Sequence, residues 1–303
     1  MLGAIAGDVI GSVHEHSGTK TKNFPLFVEA SQFTDDTVLT VAVAERLLRG
    51  GSYVDWYHEY FHAYPEAGYG SSFIHWAEHR CREPYYSWGN GAAMRVSPIG
   101  IACNTLEEVL AQARASAEVT HNHPEGIRGA QATAAAVFLA RSGYTKADIK
   151  TYIEQEFGYC LSERLDDIRE HYCFDVSCQG SVPQSIIAFL EADGFEDAVR
   201  NAISLGGDAD TMACIAGGHC GGVFRRRAGR DRIPDAGRFG RAVARRCVRV
   251  PREVCGSPAQ ALPLTAKGFR LPGHPLAPPT ALGLIYRLIG KPPLGWPHGR
   301  RDS

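Results

Sequence analysis

The sequence predicts an all-α fold. Three observations carry that prediction. Apolar residues recur at helical spacing in segment after segment of the first 218 residues. Alternating apolar and polar runs, the mark of a half-buried strand, are scarce. The stretch 126–142, GIRGAQATAAAVFLARS, is rich in alanine, the best helix former, and ends before Gly143.

The elements follow in order. The opening MLGAIAGDVIG is short and apolar, lacks a basic lead and holds Asp8, which argues against a secretory signal. Val38, Leu39, Val41, Ala42, Leu47 and Leu48 share a helical face, and the run stops at Gly50-Gly51. Residues 106–118 are Glu/Ala/Leu-rich with helical periodicity. The small residues of 126–142 suit a helix buried on most sides. Residues 145–156 and 161–171 carry amphipathic charge patterns. Residues 183–193 and 195–204 read as two further helices divided by Gly194.

Composition narrows the class. The chain has 303 residues, enough for one large domain or two smaller ones. No run of about 18 apolar residues indicates a membrane span. Nine cysteines form no CxxC pair, so zinc-ribbon and thioredoxin signatures are absent. Reduced thiols in a cytoplasmic protein are expected. Residues 219–303 hold 15 Arg and 2 Lys against 4 acidic residues, with 11 of the 17 prolines. The first 218 residues are correspondingly acidic. The expectation is a folded unit over 1–218 and a basic, Pro-rich, poorly ordered tail over 219–303, in which only 281–290 has the pattern of a short helix. The tail has no aromatic interleaving and no nucleic-acid motif, so nucleic-acid binding is not expected.

Two aspartate clusters carry the chemistry. FTDDTVLT at 33–40 and GGDADTMA at 206–213 each open a helix-like run, and each sets two carboxylates and a threonine hydroxyl within four residues. Hard divalent cations seek clustered oxygens of this kind. One such cluster alone reads as a helix cap. The pair, far apart in sequence, reads as two halves of one metal site that activates water. SWGNGAAMRVSPIG at 87–100 would let backbone approach a ligand closely at Gly89-Asn90-Gly91, although taken alone a plain tight turn is the better reading. It is not a Walker loop. THNHPEG at 120–126 places Thr120, His121 and His123 at a helix entrance. The two histidines at i, i+2 do not share a helical face, which argues against zinc.

Together GAIAGDVIGSVHE, FTDDTVLT, SWGNGAAMRVSPIGIA, THNHPEGIRGAQA and SLGGDADTMACIAGG, in this order over about residues 2–218, resemble the ADP-ribosylglycohydrolase family. The resemblance implies an all-α domain that binds two divalent cations, Mg²⁺ or Mn²⁺. It implies hydrolysis of the glycosidic bond between ADP-ribose and a modified protein or small molecule, by a monomer. Residue by residue it makes Thr34, Asp35, Asp36, Asp208, Asp210 and Thr211 metal ligands. Glu15, Asp36, Asp208 and Asp210 become the catalytic carboxylates. Gly89, Asn90, Gly91, Met94 and His121 become contacts to ADP-ribose. The text after Gly218 departs from the family and resembles out-of-frame translation of a GC-rich gene. Three other readings are a metal-dependent nucleotide phosphohydrolase using the same carboxylates, a silent ADP-ribose-binding relative, and, least expected, an arginine-rich nucleic-acid binder acting through residues 219–303.

Overall fold

The computed structural model describes residues 1–227, with side chains through residue 220. Expectations for the tail, including the helix at 281–290, lie outside the described residues from 228 onward. Thirteen helices make up the described part: α1 (Leu2–Gly11), α2 (Asp35–Arg49), α3 (Tyr53–Ala63), α4 (Ser71–Glu78), α5 (Gly91–Met94), α6 (Ser97–Ala102), α7 (Leu106–Glu118), α8 (Pro124–Ser142), α9 (Lys146–Phe157), α10 (Leu165–His171), α11 (Cys178–Leu190), α12 (Phe195–Ile203) and α13 (Ala209–Arg227). Among the described residues no strand forms; one isolated bridge joins Gly89 to Ser177.

Local chemistry sets most boundaries. Thr34 caps α2 by accepting from the Asp36 N–H, and Gly50, at φ +77°, ends it. His123 caps α8 through its ring, Pro124 opens the first turn, and Gly143 closes the helix in the left-handed conformation. Thr145 and Asp148 form a capping box on α9. Two boundaries differ from the sequence reading. The helix expected at 183–193 starts at Cys178, because Ser177 supplies the cap and Pro183 sits inside the helix instead of opening it. The helix expected from 161 starts at Leu165, after an extended Arg164.

The core is α8, α11 and α13, with α1 packed along α13. In α8, Ala130, Ala132, Ala134, Ala135 and Ala136 are fully buried, which explains the alanine run: small side chains let neighbours pack on most sides. α13 is buried from Ala209 through Cys220 and passes Gly218 without a break.

α1 and α13 meet backbone to backbone, and this contact builds the site. Gly3, Gly7 and Gly11 recur every fourth residue and line one face of α1. A Cβ on Gly3 would sit 2.2 Å from the Gly217 carbonyl oxygen, and one on Gly7 2.1 Å from that of Ala213. A Cβ on Gly11 would sit 2.5 Å from the Cα of Asp210. The last turn of α1 therefore rests on the first turn of α13.

Candidate active site

The first turns of α2 and α13 converge. Asp36 is buried in the first turn of α2, and Asp210 and Thr211 are buried in that of α13. Thr211 Oγ1 donates to Asp36 Oδ2 at 3.2 Å, across 175 residues of sequence. Asp208 precedes α13, and its Oδ2 accepts from Asn90 Nδ2 at 2.7 Å. Glu15, in the turns that follow α1, reaches the same place: one carboxylate oxygen each from Glu15, Asp208 and Asp210 lies within 4.8 Å of the others. Asp35 is half-buried beside Gly68, and the charge of Asp210 acts on it.

Asp8, which the sequence reading did not assign to the site, organises the α2 side. It is fully buried on α1. Its carboxylate accepts from Thr34 N at 3.0 Å, Thr34 Oγ1 at 2.7 Å, Thr37 N at 3.0 Å and the Thr37 hydroxyl. By taking the Thr34 proton, Asp8 turns a Thr34 lone pair outward. Thr211 is held the same way by Asp36. A carboxylate behind a ligand fixes that ligand's orientation. The signal for Asp8 was available: a lone carboxylate on the glycine-striped face pattern of an apolar helix has to be buried and partnered.

The electrostatics are those of a cation site. Burial, then the charge of Asp210, pushes Asp8 up to about 7. Asp35, Asp36 and Asp208 are raised well above the usual carboxylate range, by burial first and Asp210 next. Glu15 is raised for the same two reasons, and His16 opposes them. Hydrogen bonds from Thr34, Thr37 and Asn90 pull against the rise at Asp8 and Asp208. Asp36 Oδ1 is buried with no hydrogen-bond partner. An orphaned buried carboxylate oxygen among clustered acids fits divalent cations, with Thr34, Asp35, Asp36, Asp208, Asp210, Thr211 and Glu15 as the available oxygens.

A pH dependence follows. Folded-state values above the unfolded ones mean that these carboxylates favour folding while protonated, and for Asp8 this contribution is lost as pH rises from about 4 through about 7. The neutral, buried His121 and His219 act the other way, but only below their ordinary value of about 6.5. As pH rises from about 6.5 through 7 the metal-free protein should lose roughly 2–3 °C in melting temperature from Asp8 alone, and saturating Mn²⁺ should cancel the loss. A metal-free melting temperature that rises over that range contradicts the cluster as described.

The Gly89–Gly91 loop forms the neighbouring wall. Asn90 N donates to Val176 O at 2.7 Å, and Cys178 N to Trp88 O at 2.9 Å, so the loop is tied to the chain entering α11. His121 packs beneath it: a Cβ on Gly91 would sit 3.2 Å from His121 Nε2, and one on Gly89 3.4 Å. Burial, then Arg95, lowers His121 well below its ordinary value, so its ring is neutral. Asn90 joins this wall to the carboxylates through Asp208. Met94 bridges this wall and the cluster: its Cε would lie 4.0 Å from a Cβ on Gly91, and its sulfur lies 3.8 Å from Thr211 Oγ1. Lys20 braces the region by donating to the carbonyls of Tyr172 at 2.5 Å and Leu205 at 2.6 Å, which fixes the Glu15 segment against the loop before Asp208.

Known proteins resemble this chain. A family model described as ADP-ribosylglycohydrolase matches residues 1–244, well past residue 218. ADP-ribosylhydrolase ARH3 of Mus musculus is 27% identical over 318 residues, covering 78% of this chain and 84% of that protein. The Homo sapiens ARH3 is 27% identical over the same share of this chain and 86% of its own length. ADP-ribosylarginine hydrolase Tri1 of Pseudomonas putida is 23% identical, over 74% of this chain and 69% of that protein. A solved structure titled ADP-ribosylglycohydrolase-related protein complex aligns with TM-score 0.56 at 25% identity, covering 80% of this chain and 90% of that one. No described helix is long and apolar enough to cross a membrane. With its family model spanning most of its length and its helices arranged as in a solved relative, the chain belongs to the ADP-ribosylglycohydrolase family and is a hydrolase.

Proposed function

We propose that the chain is a divalent-metal-dependent hydrolase that cuts the glycosidic bond joining ADP-ribose to a modified protein or small molecule. The observation that carries this reading is the convergence of Glu15, Asp36, Asp208, Asp210 and Thr211 from three distant segments beside the Gly89–Gly91 wall. The relatives named ADP-ribosylhydrolase and ADP-ribosylarginine hydrolase support the substrate class.

Thr34, Asp35, Asp36, Asp208, Asp210 and Thr211 would hold two divalent cations, Mg²⁺ or Mn²⁺, which when bound would lower the pKa of a water. The chain's own residues do the rest. Asn90 fixes the Asp208 carboxylate with its side-chain N–H. The Gly89–Gly91 backbone and the His121 ring offer a close wall for ribose and phosphate oxygens. A site carboxylate, Asp36, Asp208 or Asp210, accepts the proton of the attacking water. Glu15, half-buried beside Asp208 and Asp210, is placed to pass a proton to the departing group. The clustered negative charge favours the positive, oxocarbenium-like sugar of the transition state.

Glu15→Gln should therefore cut turnover by about tenfold to a hundredfold or more, while ADP-ribose binding survives, since the amide is nearly isosteric. Wild-type turnover in this variant removes Glu15 from the mechanism. The leaving group is found by incubating the protein with Mg²⁺ or Mn²⁺ and a panel of arginine-, serine- and base-linked ADP-ribose. Release of free ADP-ribose from at least one is the expected result, and release from none overturns the reading.

A further inference from the structure

Arg95 is the largest fully buried side chain described, and no carboxylate pairs with it. Its guanidinium lies 4.3 Å from the Tyr57 ring centroid, and Nη2 donates to Ser116 O at 2.8 Å and to Thr120 Oγ1 at 2.9 Å. Burying an unpaired cation is costly, so some function must retain it. Thr120, itself fully buried, lies 2.8 Å from His121 Nδ1. Arg95 thus reaches the wall of the site through one hydroxyl.

We infer that Arg95 and Thr120 are positioning residues that lock His121 in the tautomer with its proton on Nε2, so that a fixed N–H donor faces the Gly89–Gly91 loop for an anionic or hydroxyl oxygen of the ligand. Guanidinium can only donate, so Thr120 Oγ1 accepts from it. That leaves the single Thr120 proton free to point at His121 Nδ1, 2.8 Å away, which then acts as the acceptor. The cation favours the same outcome, because the tautomeric proton is repelled to the nitrogen farther from Arg95. Nε2 is the nitrogen that packs against Gly89 and Gly91, 3.4 and 3.2 Å from where their Cβ atoms would be. This inference rests on the reading of that wall as part of the ADP-ribose site.

The test combines ¹⁵N NMR of His121 with ADP-ribose titration in Mg²⁺. Wild-type protein should show the Nε2–H tautomer. Thr120→Val, which keeps the shape and removes the hydroxyl, should show a tautomer mixture and bind ADP-ribose roughly three- to tenfold more weakly. Thr120→Ser should restore both, although it packs less well than valine. A packing role predicts the reverse order, valine better than serine, and would overturn the proposal. So would an Nδ1–H tautomer in the wild type. Wild-type protein that shows the Nε2–H tautomer, loses it in Thr120→Val, and binds no ADP-ribose supports the relay and instead overturns the reading of the wall as an ADP-ribose site.

Discussion

Asp36→Ala and Asp210→Ala are each expected to abolish measurable turnover and to weaken Mg²⁺ or Mn²⁺ binding by more than about 100-fold. Even residues that only orient a ligand cost 10–100-fold when removed, and these two carboxylates sit at the centre of the cluster. Asp36 has one oxygen engaged by Thr211 and the other buried without a partner. Asp210 is the charge felt by Asp8, Glu15, Asp35, Asp36 and Asp208 alike. If the two aspartates serve only as acidic residues of helix first turns, their loss costs about 1 kcal/mol of stability and leaves metal affinity unchanged. Removing Asp210 should also relieve repulsion, so the metal-free variant should melt no lower than the wild type. Calorimetric metal titration beside a thermal melt separates the two roles. Unchanged metal affinity in both variants contradicts the shared site.

Gly7→Val should destabilise the protein by about 3 kcal/mol or more, since core overpacking costs 1–3 kcal/mol even where neighbours can adjust. Here the obstacle is backbone. The added Cβ would meet the Ala213 carbonyl oxygen at 2.1 Å and its carbon at 2.5 Å, so α1 and α13 must separate. Separation moves Asp8 and the Glu15 turn away from Asp210, so metal affinity should fall together with stability. Gly70→Ala is the control. It has open space at its Cβ and an ordinary φ of −62°, and should stay within about 1 kcal/mol of wild type in urea unfolding. A Gly7→Val variant as stable as that control contradicts the backbone contact.

Much of the fold was legible because its punctuation is local. Gly50, Gly143 and the Thr145–Asp148 box end or start helices through neighbours in sequence, so α2, α7, α8, α9 and α12 fall where periodicity puts them. α11 does not, because Pro183 resembles a helix opening while Ser177, five residues into an apparent loop, is the residue with the capping hydroxyl. The two aspartate clusters were visible for the same local reason, dense oxygen ligands within four residues. What joins them was not. The stripe Gly3-Gly7-Gly11 is plain in the sequence, but its partner, Ala213 and Gly217 on α13, is known only once the chain has folded. Asp8 and Arg95 were passed over as one residue in an apolar run and one in a glycine-rich segment. Their meaning is tertiary: Asp8 collects four hydrogen bonds from the start of α2, and Arg95 addresses a hydroxyl 25 positions away.

The central claim is that two distant aspartate motifs form one metal-dependent site for cutting ADP-ribose from its carrier. Product analysis by chromatography of an ADP-ribosylated substrate, with Mg²⁺ and with chelator, tests it most directly. The account predicts free ADP-ribose with Mg²⁺ and none with chelator; release of AMP or phosphate, or release of ADP-ribose undiminished by chelator, would contradict it.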